Sequence, residues 1–283
     1  MVLFKKATDL RKWLDAQQEK GKHIGFVPTM GALHTGHISL IEISKKNNPI
    51  TASSIFVNPT QFNDPKDFEK YPITLEKDIA MLEAAGCDVL FLPSVKEIYP
   101  NGQKTNRHYD LGYLETVLEG KSRPGHFQGV CMVVHCLLEI VQPDNLYLGQ
   151  KDYQQCMVIT KLVELIHLSK EIQVNICPTL READGLAMSS RNMRLTKEER
   201  MTAATIYKNL NMINANLQPG DLSALKQKAG LALEEAGFRV DYVEIADASN
   251  LFLVSNYDGK QKLVALVAAF MNEVRLIDNM LIN

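Results

Sequence analysis

Two histidines three positions apart, His34 and His37, stand in the segment Pro28–His37, PTMGALHTGH. The apolar run Ile24–Val27 precedes it and a stretch with apolar positions at Ile38, Ile41 and Ile43 follows. The segment therefore reads as the place where a strand hands over to a helix. A helix that starts there offers unpaired backbone N–H groups and the positive end of its dipole, which suits a phosphate. Gly31 and Gly36 can let the backbone turn and approach a ligand closely. Side chains three apart on a helix share a side, so both imidazoles can donate to phosphate oxygens as charge develops. The plain alternative is a helix cap that carries two surface histidines. The spacing is neither G-x-x-x-x-G-K-[ST] nor G-x-G-x-x-G, so the common phosphate-loop patterns are absent.

Two further segments carry similar chemistry. Met188-Ser189-Ser190-Arg191 lies in a polar stretch, where small hydroxyls beside an arginine suit phosphate binding on a mobile loop. Its alternative is an ordinary linker that also caps a helix. Gly149-Gln150-Lys151-Asp152 follows a short apolar run and opens a helical stripe. Asp152 can serve there as an N-cap, and Lys151 as a point charge for a phosphate.

The elements that must position these residues are visible as changes of period. Ile24–Val27, Ile50–Val57, Asp88–Leu92, Leu146–Leu148 and Glu171–Cys177 are short apolar runs. Helical patterns separate them: His37–Lys46, the Leu75, Ile79, Leu82 stripe, Phe127–Val141, and the Val158, Leu162, Leu165 stripe. This β-α-β-α order predicts an α/β fold, a Rossmann-like parallel sheet flanked by helices. Past Thr179–Arg194 the character changes. Helices on Ile206–Leu217 and Leu222–Leu233 precede two predicted strands, Val240–Ala246 and Leu263–Phe270. The expected organisation is a nucleotide-binding domain over residues 1–180 and a smaller C-terminal α+β domain over 185–283.

Composition narrows the functional classes. The chain has 283 residues, 46% hydrophobic and 23% charged, which is the balance of a globular protein with a sizeable core. The formal net charge is -2 and no basic run stands out, so nucleic acid is not an expected partner. Cys87, Cys131, Cys136, Cys156 and Cys177 form no C-x-x-C pair and are expected as buried thiols in a reducing compartment. No signal-peptide pattern and no membrane span are evident, and a cytoplasmic location is expected.

The motifs also resemble those of known enzymes. His34-Thr35-Gly36-His37 is similar to the H-x-G-H signature of the nucleotidyltransferase superfamily that includes class I aminoacyl-tRNA synthetases. Met188-Ser189-Ser190-Arg191 resembles a degenerate form of that superfamily's lysine/serine signature. The wider set adds SIFVNPTQF (Ser54–Phe62), KYP (Lys70–Pro72), PSVKEIYPNG (Pro93–Gly102) and SRPGHFQGV (Ser122–Val130). KDYQQ (Lys151–Gln155), GLAMSSRN (Gly185–Asn192) and RLIDN (Arg275–Asn279) complete it. In this order, from about residue 20 to the end, the set resembles the pantothenate synthetase family.

That resemblance implies an ATP-dependent ligase that joins (R)-pantoate to β-alanine through a pantoyl adenylate, releasing pyrophosphate and AMP. By the same resemblance, Met30, Gly31, Ala32, Leu33, His34, Thr35, Gly36 and His37 would contact ATP. His37 would be the proton donor, and His34 would help hold phosphates. Gly149, Gln150, Lys151 and Asp152 would line the nucleotide site, Leu180 would meet adenine through its backbone, and Met188, Ser189, Ser190 and Arg191 would close over the phosphates. Gln61 and Gln155 would bind pantoate, with Gln61 also near the incoming β-alanine. Magnesium would bridge the phosphates largely through water, with Asp78 as a candidate ligand. A homodimer, a lid-like C-terminal domain and a hinge near Pro178–Gly185 are further implications. Two residues depart from the family: Gln150 stands where glutamate is usual, and Lys77 where a second carboxylate often precedes Asp78. The alternative function is a small adenylyl- or cytidylyltransferase of the same superfamily.

Overall fold

Alternation of apolar runs with helical stripes produces, in the computed structural model, a six-stranded parallel sheet. The structure describes residues 1–62, 68–102 and 107–283. The strands are β1 (Val2–Phe4), β2 (Ile24–Thr29), β3 (Ile50–Ile55), β4 (Val89–Phe91), β5 (Asn145–Gly149) and β6 (Gln173–Cys177). The main helices between them are α1 (Ala7–Gln18), α2 (Thr35–Asn47), α3 (Leu75–Ala84), α4 (His126–Val141) and α5 (Tyr153–Leu165). The spatial order is β1-β4-β3-β2-β5-β6. The chain thus steps outward from β2 through β3 to β4, then returns to place β5 on the other side of β2. The strand order reverses there, and in open α/β sheets ligands collect outside the carboxyl ends of the strands at such a point.

The register sharpens this. β2 pairs with β5 only through Gly25↔Asn145 and Phe26↔Leu146. Both strands continue for three more residues, β2 to Thr29 and β5 to Gly149, without pairing to each other. The sheet is therefore parted at their carboxyl ends. The predicted strand stops before Pro28, whereas β2 runs past it on its β3 side, where Pro28↔Ser54 and Thr29↔Ile55 are in register. Proline has no N–H to offer a ladder, and here it falls beyond the last β5 partner.

The chain forms two compact units. One is Met1–Gly149 with Gln155–Cys177; the other is Gln150–Gln154 with Pro178–Asn283. The core of the first includes Leu10, Phe26, Phe91, Phe127, Leu138 and Leu146, all nearly inaccessible. Burial pushes the thiols of Cys87 and Cys131 up to about 12, so both stay protonated and inert at neutral pH. Among the described residues no helix is long and apolar enough to cross a membrane.

The second unit carries β7 (Gly220–Asp221) paired with β9 (Asn256–Tyr257), and an antiparallel sheet of β8 (Arg239–Asp247), β10 (Leu263–Met271) and β11 (Val274–Ile282) in the order β11-β10-β8. Helices α6 (Lys197–Ala203), α7 (Thr205–Ala215) and α8 (Ser223–Glu235) supply Ala203, Leu210, Ile213 and Leu233 to its core. β10 is the strand expected over Leu263–Phe270, and it is central with both faces buried. The sequence pattern predicts neither β1 nor β11.

Candidate active site

The turn after β2 is built on a left-handed pair. Gly31 has φ +81° and Ala32 φ +49°. The first is where glycine costs nothing, whereas an alanine in that region is strained by roughly 1–2 kcal/mol. Asp78, buried on the first turn of α3, compensates. Its Oδ2 accepts from the Ala32 N–H at 2.9 Å, and its Oδ1 accepts from the Leu33 N–H at 2.8 Å and from Thr74 Oγ1 at 2.9 Å. Thr29 Oγ1 closes the turn, accepting from the Gly31 N–H at 3.2 Å and donating to the Ser54 carbonyl at 2.7 Å. Gly36 is not a turn residue as expected. It lies inside α2, and its N–H is used for capping.

His34 and His37 form that cap. His34 is the N-cap of α2, and the two side chains make a reciprocal capping box. His34 Nδ1 accepts from the Gly36 N–H at 3.1 Å, and His37 Nδ1 accepts from the His34 N–H at 3.3 Å. A ring nitrogen that accepts carries no proton, so the network assigns both imidazoles the tautomer with hydrogen on Nε2. The helix-cap reading of this segment is the one the structure shows, and each ring that caps through Nδ1 carries its hydrogen on Nε2. The rings lie 4.0 Å apart between centroids, which places two such donors side by side at a helix N-terminus.

A second cluster orders the turn after β3. Asn58 Nδ2 donates to Gln61 Oε1 and to the Gly129 carbonyl, both at 3.1 Å, while its Oδ1 accepts from Tyr99 Oη at 2.8 Å. Burial raises the Tyr99 phenol to about 12, so it remains a donor. His126 is buried, with Nδ1 2.7 Å from the Gln61 carbonyl oxygen and Nε2 3.1 Å from Arg123 Nη1. This ring holds its proton on Nδ1, opposite to the other two, and it fixes the Gln61 backbone. Gln61 Nε2 in turn reaches Met30 Sδ at 2.9 Å. The predicted substrate residue Gln61 and the predicted nucleotide residues Met30–His37 thus belong to one neighbourhood of the first unit. Asn58, His126 and Asp78 are the supporting residues. Gln155 lies half-buried in the first turn of α5.

In the second unit, Gln150–Asp152 form a 3-10 turn, and Lys151 Nζ lies 3.5 Å from Asp152 Oδ1. Leu180 joins a tight hairpin in which the Met188 N–H donates to its carbonyl at 3.1 Å, and Arg181 bridges Ala187. Ser189 caps the 3-10 turn Ser190–Arg194 and accepts from the Arg191 N–H at 3.3 Å. Met188–Arg191 thus follows the hairpin as a linker and caps a short helix.

Comparison with known proteins decides the class. The family model described as pantoate-beta-alanine ligase matches residues 2–281. The chain belongs to the pantoate–β-alanine ligase family. A pantothenate synthetase of Cytophaga hutchinsonii is 44% identical, covering 100% of this chain and 99% of that one. One of Bacteroides thetaiotaomicron is also 44% identical, covering 96% and 95%. Among solved structures, pantothenate synthetase of Thermus thermophilus aligns with a TM-score of 0.86 at 40% identity over 99% of both chains. The Francisella tularensis ligase, solved with beta-gamma ATP and beta-alanine, aligns with a TM-score of 0.83 at 40% identity over 99% and 97%. The family's fold is thus the parallel sheet and C-terminal antiparallel sheet described above.

The magnesium suggested for Asp78 does not fit this ligase chain. Both carboxylate oxygens accept backbone or hydroxyl hydrogens, and the side chain is 1% exposed. Divalent magnesium keeps several waters and needs oxygens that can face it. Among the described residues no group of three His, Cys, Asp or Glu is placed to hold a metal ion.

Proposed function

We infer that this chain condenses pantoate with β-alanine at the expense of ATP. The family match over residues 2–281 carries the reading. In the first half-reaction a pantoate carboxylate oxygen attacks the α-phosphorus, the bond to the bridging oxygen breaks, and pyrophosphate leaves. In the second, the β-alanine nitrogen attacks the acyl carbon of pantoyl adenylate, the C–O bond breaks, AMP leaves, and the amine proton passes to solvent. Both reactants bring their own reactive groups, so the protein's task is positioning and neutralising charge.

The residues divide accordingly. His37 and His34 donate through Nε2–H to phosphate oxygens, and Lys151 counters charge that builds on the leaving pyrophosphate. Gly149–Asp152, Leu180 and Met188–Arg191 bind the nucleotide. Gln61 and Gln155 hold pantoate, an amide being able to donate and accept at once. Magnesium enters with ATP rather than as a resident ion. The second unit serves as a lid, and the protein is a cytosolic homodimer.

Incubation with ATP, magnesium, pantoate and β-alanine is expected to give AMP and pantothenate in equal amounts. Pyrophosphate release without β-alanine-dependent pantothenate would instead support a nucleotidyltransferase, which Gln61 and Gln155 in their motifs disfavour. The pantoate side of the assignment has its own check. A Cβ added at Gly129 would lie 2.3 Å from the Thr60 carbonyl oxygen, so alanine must displace the turn that carries Gln61. Gly129→Ala is expected to raise the KM for pantoate about tenfold while the KM for ATP changes little, since sub-ångström displacement of a positioning group is costly. Equal changes in both constants would remove Gln61 from the pantoate site.

A further inference from the structure

Lys151 follows β5 directly, yet the turn that carries it groups with the second unit rather than with β5. One side chain ties the turn to β11. Asn279 on β11 is 2% exposed, and its Nδ2 donates to two consecutive carbonyls, Gln150 at 2.9 Å and Lys151 at 2.8 Å. Its Oδ1 accepts from Gln150 Nε2 at 3.4 Å. With both amide hydrogens committed to carbonyls, the oxygen can only face a donor, and glutamine at position 150 supplies one where a glutamate would not.

The neighbouring residue extends the clamp. Asp278, 3% exposed, accepts from Arg181 at 2.6 and 3.0 Å in a bidentate pair, and from the Asn279 N–H at 2.7 Å. Arg181 also donates to the Asn279 carbonyl at 3.1 Å and the Gly185 carbonyl at 3.0 Å, and stacks 4.3 Å above the Tyr207 ring. Tyr207 packs so closely on Gly185 that a Cβ there would lie 1.9 Å from its ring. Planar, bidentate, stacked arginine is a rigid connector. The chain of contacts runs from the Lys151 turn through Asn279 and Asp278 to Arg181, and on to the hairpin that leads into Met188–Arg191.

We propose that Asn279 is a positioning residue that fixes the Lys151 turn to the Arg181–Ala187 hairpin, so that Lys151 and Met188–Arg191 act as one body during adenylate formation. The proposal rests on the assignment of Lys151 to the nucleotide. Lysine is a flexible point charge, and its usefulness depends on the backbone from which it springs. Asn279 makes no contact with substrate in this scheme; its effect passes through Lys151.

A double-mutant cycle on the full chain tests it. Asn279→Leu is expected to slow pyrophosphate release from ATP and pantoate by about 10–100-fold, the range of losses when the groups supporting a functional side chain are removed. In a Lys151→Ala background the same change is expected to cost less than about twofold, since the side chain it positions is already gone. Transfer from saturating synthetic pantoyl adenylate to β-alanine, in which no pyrophosphate leaves, is expected to be slowed far less by Asn279→Leu than pyrophosphate release is. Asn279→Ser, run in parallel with melting curves on each variant, covers the case in which leucine prevents folding. Additive losses, or an equal slowing of the second half-reaction, would overturn the proposal while the functional reading stands. A wild-type protein that forms no AMP would overturn the functional reading and the proposal with it.

Discussion

His37→Ala is expected to slow pantoyl adenylate formation about 10²–10³-fold, the usual cost of removing one donor from charge that develops in the transition state. The proposed role gives this ring two jobs on different nitrogens. Nδ1 accepts from the His34 N–H within the capping box, and the opposite nitrogen carries the hydrogen. Alanine removes both, so a stability loss of about 1 kcal/mol from the missing cap should accompany the rate loss. His37→Asn separates them, because an asparagine oxygen can replace the Nδ1 acceptor but its side chain ends short of the Nε2 position. It should restore stability and leave the rate low. Single-turnover pyrophosphate release and urea unfolding read the two effects. Adenylation at the wild-type rate in either variant would take His37 out of the chemistry.

How much of this is legible in the sequence follows from distance along the chain. The parallel sheet is readable because its strands are short, apolar and separated by helical stripes. Each such run needs only local pattern, and Ile24–Thr29, Ile50–Ile55 and Val89–Phe91 are almost continuously buried. β1 escapes notice because its three residues are largely exposed at the sheet edge beside β4. β11 escapes for a different reason. Its inward positions run Val274, Leu276, Asp278, Met280, Ile282, and the aspartate breaks the apolar alternation at the point where Arg181 answers it. A buried polar residue of this kind hides a strand from pattern reading.

The site shows the same divide. His34 and His37 are legible because three-residue spacing at a strand-to-helix junction is local information. Their reciprocal cap is local as well, and the structure shows the helix-cap alternative directly. The roles of Asp78, His126 and Asn279 are not legible locally. They hold Ala32, Gln61 and Lys151 across 46, 65 and 128 positions, and only the fold brings them together. The family resemblance offers Asp78 as a candidate metal ligand, and sequence alone does not tell an exposed carboxylate from a buried one; the structure spends its oxygens on backbone N–H groups and a threonine hydroxyl.

That difference leads to the largest stability effect expected here. Asp78→Asn should destabilise the first unit by about 2–5 kcal/mol and abolish most activity. An asparagine keeps one acceptor oxygen and turns an NH2 toward N–H or O–H donors, so at least one buried N–H in the Ala32–Leu33 pair loses its partner. Hydrogen bonds to a charged acceptor contribute about 1.5–3 kcal/mol each, and an orphaned buried donor costs about 1–3 kcal/mol. The Ala32 backbone, at φ +49°, then loses what holds it in place, and the loop that leads into the His34–His37 cap is free to relax. Urea unfolding should show the midpoint falling, and residual activity should follow the folded fraction. The magnesium dependence distinguishes this role from a ligand's. If Asp78 only supports the loop, the magnesium concentration that half-saturates the residual activity stays at the wild-type value. A severalfold rise in that concentration, with stability intact, would return Asp78 to the metal and leave Ala32 without its explanation.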